Sequence, residues 1–296
     1  MTAHDTALTI IDTASTTRRV LAAPPSERAE LLRQVRAPLN GMFPFIPGGP
    51  DQFEIHRGTY GYPIEGSDAR VLDALARLED ADAWGRIRRA LAEGIAALTS
   101  AVPDLSVPDL TVHLTVGDPG DAYFMDEIRG LSAFGGMSGY IEITVWPHDV
   151  VLDRLEAIAV HELHHNVRYG PGGVVWDPMR VQLGEQVVAE GLADAFAAEL
   201  YGERGWTHFV DDASHGHDVV GKVRQALDIS GMQHFMPWIL GDAGARRLGL
   251  DPVGVPTGAG YAAGRALVAQ YLRRSGRSAA EAVRTPWRQV VGGDAQ

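Results

Sequence analysis

The amino-acid sequence predicts an α+β fold. Apolar runs of helical period occupy both ends of the chain, two short strand patterns lie between them, and no repeat or low-complexity tract interrupts that order. With 296 residues, 45% of them hydrophobic and 22% charged, the chain is long and apolar enough for one large domain or two modest ones.

The first 20 or so residues, rich in Thr, Ala and Ser, read as a weakly ordered arm or a short helix. Ser26 opens an amphipathic helix that runs through Val35 and stops before Pro38. From Pro38 to Pro63, Gly and Pro alternate with Phe43, Phe45, Phe53, Tyr60 and Tyr62, the pattern of a packed irregular segment. Residues 68–101 give one or two helices, with Val71, Leu72, Leu75 and Leu78, then Ile87, Leu91, Ile95 and Leu98 at helical spacing. Asp109 to Val116 is a strand with Leu110, Val112, Leu114 and Val116 on one face. A Gly-rich loop from Phe134 to Gly139 leads into a second strand, Tyr140 to Val145, whose strict alternation predicts one buried and one exposed face. Helices are then expected over Asp149–Tyr169, Leu183–Tyr201, near 217–228, and over Gly258–Arg274. The sheet is thus small, mixed or antiparallel, and the C-terminal part mainly helical. Residues 1–105 read as a helical segment packed on the core, and 106–296 as the domain that carries the chemistry.

Composition excludes several partners. The net charge is −12 and no Lys/Arg cluster tracks phosphates, so neither nucleic acid nor an anionic membrane is expected to bind. No apolar run approaches the roughly 18 residues of a membrane span. The N-terminus carries no signal-like pattern, and cysteine is absent, which fits a reducing cytoplasm and leaves His and carboxylate as the strong metal ligands. Oligomeric state is not legible.

The chemistry concentrates at Val160-His161-Glu162-Leu163-His164-His165-Asn166. His161 and His165 are one helical turn apart on one face, so two imidazoles converge on one metal ion, with Glu162 about 100° round the helix beside it. Leu152, Leu155, Ile158, Ala159 and Val160 approach the motif as a buried run, where an unpartnered His-Glu-His set would be costly. His164 points about 100° away and reads as a packing residue. A third histidine six residues beyond His165 is ruled out by Pro171. Glu190-Gly191-Leu192-Ala193-Asp194 supplies a glutamate ligand instead, and Asp194, one turn on, can accept the free ring N–H of a ligating histidine. Glu185 is the rival ligand, about 140° round the helix and without an acid one turn further on. A di-iron bundle would need a second Glu-x-x-His, which the chain lacks.

These residues resemble the glutamate-type zincins, the gluzincins. More closely, the chain resembles an uncharacterised bacterial family of predicted zinc-dependent proteases, domain of unknown function 2268. The resemblance covers roughly residues 110–275 and rests on His161–Arg168, on Glu190–Asp194 and on Gly260-Tyr261-Ala262-Ala263-Gly264. It implies a thermolysin-like core and one zinc per chain, and says almost nothing of the substrate. The expected function is hydrolysis of peptide bonds: zinc on His161, His165 and Glu190 activates water, Glu162 acts as general base, and Tyr261 donates to the oxyanion. His234, with His215 and His217 behind it, is the alternative donor. Two other functions stay open: a zinc-bearing peptide-binding or regulatory domain without turnover, and hydrolysis of a non-peptide amide or ester. An extended peptide is expected to add to the edge of the strand 140–145.

Overall fold

A computed structural model describes residues 6–66, 69–210 and 212–292. The first five residues of the expected N-terminal arm therefore lie outside the described set. Its remainder forms a strand, β1 (Leu8–Ile10), and a helix, α1 (Thr13–Ala22), capped by the Asp12 carboxylate. Helix α2 (Pro25–Arg36) follows, with Pro at its first position. The aromatic-rich stretch contains a 3-10 turn (Ala37–Met42) and a short helix, α3 (Gln52–Gly58). The next region divides into α4 (Ala69–Asp80) and α5 (Ala83–Ala101), broken where Asp82 takes a left-handed φ of 50°.

Strands β2 (Leu110–Val116), β3 (Leu131–Phe134) and β4 (Tyr140–Val145) complete one mixed sheet in the order β1-β2-β4-β3. β1 and β4 run parallel to β2, and β3 runs antiparallel to β4, pairing Leu131 with Val145 and Phe134 with Glu142. The expected motif helix is two helices, α6 (Asp149–Leu152) and α7 (Leu155–Arg168). After α8 (Leu183–Tyr201) come α9 (His217–Gln225), α10 (Met236–Ile239), α11 (Asp242–Arg247), α12 (Ala259–Ser275) and α13 (Trp287–Val290). No helix among the described residues is long and apolar enough to cross a membrane.

Two expectations about β4 are corrected. Its polar face is not exposed: Glu142 and Thr144 are 4% and 1% accessible. The N-terminal helices cover that face, and Arg36 at the end of α2 reaches Glu142 with a 2.7 Å hydrogen bond. Nor is the edge of β4 open to a peptide, because β2 and β3 occupy its two sides. The outer strand beside it is β3. The alternating pattern was real, but a buried ion pair substitutes for solvent on its polar side.

The other face of the sheet carries Val112, Leu114, Ile141 and Ile143, in one core with Ile87 and Leu91 of α5 and Ile158 and Leu163 of α7. Burying such side chains is worth about 1.5–3 kcal/mol each, so the sheet pins α7 in place. Helix α8 is apolar on nearly all sides and buried accordingly. It crosses α12 at Gly191 and Gly264, where a Cβ on either residue would collide with the opposite backbone.

Beneath the polar face, Gln52, His56 and His113 surround the Arg36–Glu142 pair and are all nearly inaccessible. Burial, reinforced by the Arg36 charge, lowers the His56 pKa to about 3. The unfolded chain, titrating near 6.5, binds a proton that the fold refuses. Stability present above pH 6.5 is therefore lost as pH falls towards 3, and His56→Gln is expected to flatten that acid-side slope in urea unfolding. Glu142→Ala, which strands a buried Arg36, is expected to cost about 3–5 kcal/mol in the same assay. The exposed Arg57→Ala is expected to shift it by about 0.5 kcal/mol or less; equal losses for the two would refute the buried-pair argument.

Candidate metal centre

Helix α7 is buried along almost its whole length, polar residues included. Each polar side chain there needs a partner, and the partners define the site. Nε2 of His161 and Nε2 of His165 lie 3.1 Å apart, and each is 3.2 Å from Oε2 of Glu190. Nδ1 of His161 is 3.0 Å from Oδ1 of Asp194, to which it donates, so the neutral ring carries its lone pair on Nε2. The structure thus brings together the four predicted residues His161, His165, Glu190 and Asp194.

Two lone-pair nitrogens and a carboxylate oxygen this close need a cation or a proton between them. Tetrahedral zinc with N and O ligands at about 2.0–2.1 Å sets its ligands about 3.3 Å apart. The observed triangle has that size, so the donor set fits a single zinc ion. The local field agrees. Burial alone would disfavour a charged His161, but hydrogen bonds to Asp194 and Glu190 outweigh it and raise the pKa to about 10. Glu190 and Asp194 are held well below the usual carboxylate range, despite burial, by His165 and His161 and by His161, His208 and Arg265 respectively.

Asp194 is itself held from three directions. Thr207 Oγ1 donates to its Oδ1 at 3.1 Å, and Arg265 Nε donates to its Oδ2 at 2.6 Å. Arg265, on α12, also donates to the backbone oxygen of His208 at 2.9 Å, and its guanidinium lies over Trp206. The segment 206–208 is thereby folded back onto the site. His208 brings a ring nitrogen within 4.8 Å of the ligating atoms of His161 and Glu190. Its ring stacks on Tyr261 with centroids 3.8 Å apart and planes 12° from parallel. Tyr261 therefore reaches the site's edge in company with His208, and burial raises its pKa well above the ordinary phenol value.

No spacing in the sequence marks Thr207, His208 and Arg265, because the first two arrive through the reversal of the chain after α8 and the third from α12. His215, His217 and His234, named as alternative donors, are exposed, and none joins the cluster. Glu185, the rival ligand, is engaged elsewhere: Arg168 grips both its oxygens at 2.7 and 2.8 Å, and Tyr169 adds a third bond.

Glu162 is 3% accessible, and burial raises its pKa. The backbone of Gly135, just past the end of β3, packs on the Glu162 carbonyl with no room for a Cβ. Asn166 locks that contact. Its amide nitrogen donates to the carbonyls of Gly135, Met137 and Tyr140 at 2.7–3.0 Å, and its oxygen accepts from Gly139 N at 2.8 Å. The Gly-rich loop and the end of β3 are thus clamped over Glu162, the residue beside His161. His164 is fully buried near Phe196, in keeping with a packing role.

The two glutamates of α8 are expected to part company under zinc titration of the purified protein. Glu190→Ala removes one of the three clustered donors and is expected to abolish or strongly weaken uptake. Glu185→Ala should leave about one zinc per chain while lowering unfolding stability by about 3–5 kcal/mol, because Arg168 loses its buried partner. Asp194→Asn, which removes the negative charge that the His161 N–H faces, should weaken zinc about 10–100-fold. The reverse order for the glutamates would transfer the ligand role to Glu185.

Among curated proteins, the chain is similar to an uncharacterized protein, YjfC, of Bacillus subtilis (strain 168). The two are 29% identical over 192 residues, which is 63% of this chain and 62% of that protein, so less than two thirds of the relative is spanned. No solved structure matches the chain. The model of the family described as "Predicted Zn-dependent protease (DUF2268)" matches residues 86–292, a span that contains α7, α8, the 206–208 segment and α12, and the chain belongs to that family.

Proposed function

We propose that this protein is a zinc-dependent metallopeptidase of the glutamate zincin type. One observation carries the reading: the His161, His165 and Glu190 donor atoms form a triangle of zinc-ligand size, with the buried carboxylate of Glu162 on the next residue of the same helix. Two donors on one helix and the third on a second helix, beside a small mixed sheet, support a thermolysin-like core. The family's description as a predicted zinc-dependent protease supports the same assignment.

Zinc held by these residues would supply Lewis acidity, acidifying water and polarising a carbonyl. The chain's own groups do the rest. Asp194 fixes the tautomer and orientation of His161, and Arg265 and Thr207 fix Asp194. Glu162 takes the proton of the attacking water and returns it to the departing amine. Its raised pKa suits a group that must both accept and release a proton. Tyr261 donates a hydrogen bond to the developing oxyanion, and the stacked His208 ring holds the phenol in place.

The substrate is proposed to be an extended peptide or protein segment lying along β3, the outer strand, whose end at Phe134-Gly135 abuts Glu162. Nucleic acid and membrane are not proposed as partners, given the net charge of −12. A cysteine-free chain suits a cytoplasmic location.

Glu162→Gln is expected to abolish cleavage of a peptide library while leaving about one zinc per chain. Loss of the metal in that variant would contradict the base assignment, and a wild type that binds zinc and the library without cutting would indicate a binding domain instead. Tyr261→Phe should lower kcat about 10²–10³-fold with little change in KM. If Tyr261→Phe is silent while His208→Ala is not, the donor is His208.

A further inference from the structure

Helix α8 carries three buried acids, and two of them are held by a guanidinium. Arg168 grips Glu185, and Arg265 donates to Asp194. Glu190, between them, is buried and has no Lys or Arg partner among the described residues. Its Oε2 faces the Nε2 atoms of His161 and His165. Its other oxygen, Oε1, takes a 2.5 Å hydrogen bond from Nε2 of Gln186, one turn earlier on the same helix. An ionised carboxylate only accepts, so the amide nitrogen of Gln186 must be the atom that faces it.

On an open helix surface, a glutamine four residues from a glutamate is a minor local contact. Burial gives this one a different weight, because water does not compete for Oε1. The last torsion of a glutamate is broad, so a fixed donor on one oxygen decides where the other points. The donor is also neutral. A lysine or arginine there would fix the carboxylate and cancel its charge, whereas an amide fixes it and leaves the charge for a metal cation. A catalytic zinc site takes three protein ligands and keeps its fourth position for water. His161, His165 and one oxygen of Glu190 make three donor atoms; both oxygens would make four.

We propose that Gln186 is a positioning residue: by holding Oε1 it makes Glu190 a one-oxygen ligand and keeps the fourth position open. Gln186 takes this role only if the zinc reading of the site holds. Cobalt(II) titration of the full chain tests it without hydrolysis, since four-coordinate cobalt absorbs more strongly in the visible than five-coordinate cobalt. The wild type is expected to give the intense four-coordinate spectrum. Gln186→Met, of similar shape but without a donor, should give the weaker five-coordinate spectrum and bind zinc about 10–100-fold less tightly. Gln186→Lys supplies a donor together with a charge. It should keep the intense spectrum yet weaken zinc, a split that a folding defect would not produce. Gln182→Met, whose amide is bonded to Asp228 instead, should change neither. No cobalt uptake by the wild type would overturn the zinc reading and this one together. Normal uptake with an unmoved spectrum in Gln186→Met, or the same change in Gln182→Met, would overturn the role of Gln186 alone.

Discussion

The buried carboxylate of Asp194 is the constraint on which the site depends. It carries its charge with no accessible surface, a state that would be costly by several kcal/mol without compensation. Three donors compensate it, and each comes from a different part of the chain: His161 from α7, Thr207 from the segment after α8, and Arg265 from α12. Satisfying one buried charge thus fixes the relative placement of three elements. It also fixes the tautomer of His161, and with it the direction of the lone pair that faces His165 and Glu190.

A second set of polar contacts holds α7 from its other sides. Asn166 takes three main-chain partners in the Gly-rich loop and a fourth at the start of β4, so the end of β3 is held against Glu162. Arg168 clamps Glu185 at the start of α8 and also donates to the carbonyls of Val283 and Thr285 near the C-terminus. His161 and His165 on α7 and Glu190 on α8 are therefore registered at two levels, by their own cluster and by an ion pair about one and a half turns from Glu190 along α8. The Gly191–Gly264 crossing permits the close approach of α8 and α12 that lets Arg265 reach Asp194.

The N-terminal third has a different physical task. It covers the polar face of the sheet, and the Arg36–Glu142 pair with His56, His113 and Gln52 forms a buried polar layer there. Burial and the Arg36 charge disfavour protonation of His56 in that layer.

Interactions within one or two helical turns were legible from the chain. The spacing of His161 and His165, and of Glu190 and Asp194, is set by helix geometry alone, because residues four apart share a face. The same local periodicity marked α5, α7, α8 and α12 and the strands β2 and β4. Strands β1 and β3, of three and four residues, carry too few alternations to be read, and they exist because longer strands offer them an edge. The fate of Glu185 against Glu190, the covered face of β4, and the arrival of Thr207, His208 and Arg265 depend on contacts between residues far apart in sequence. Periodicity holds no information about such contacts. Burial decided them, since each buried charge had to find its partner wherever the packed chain brought one within reach.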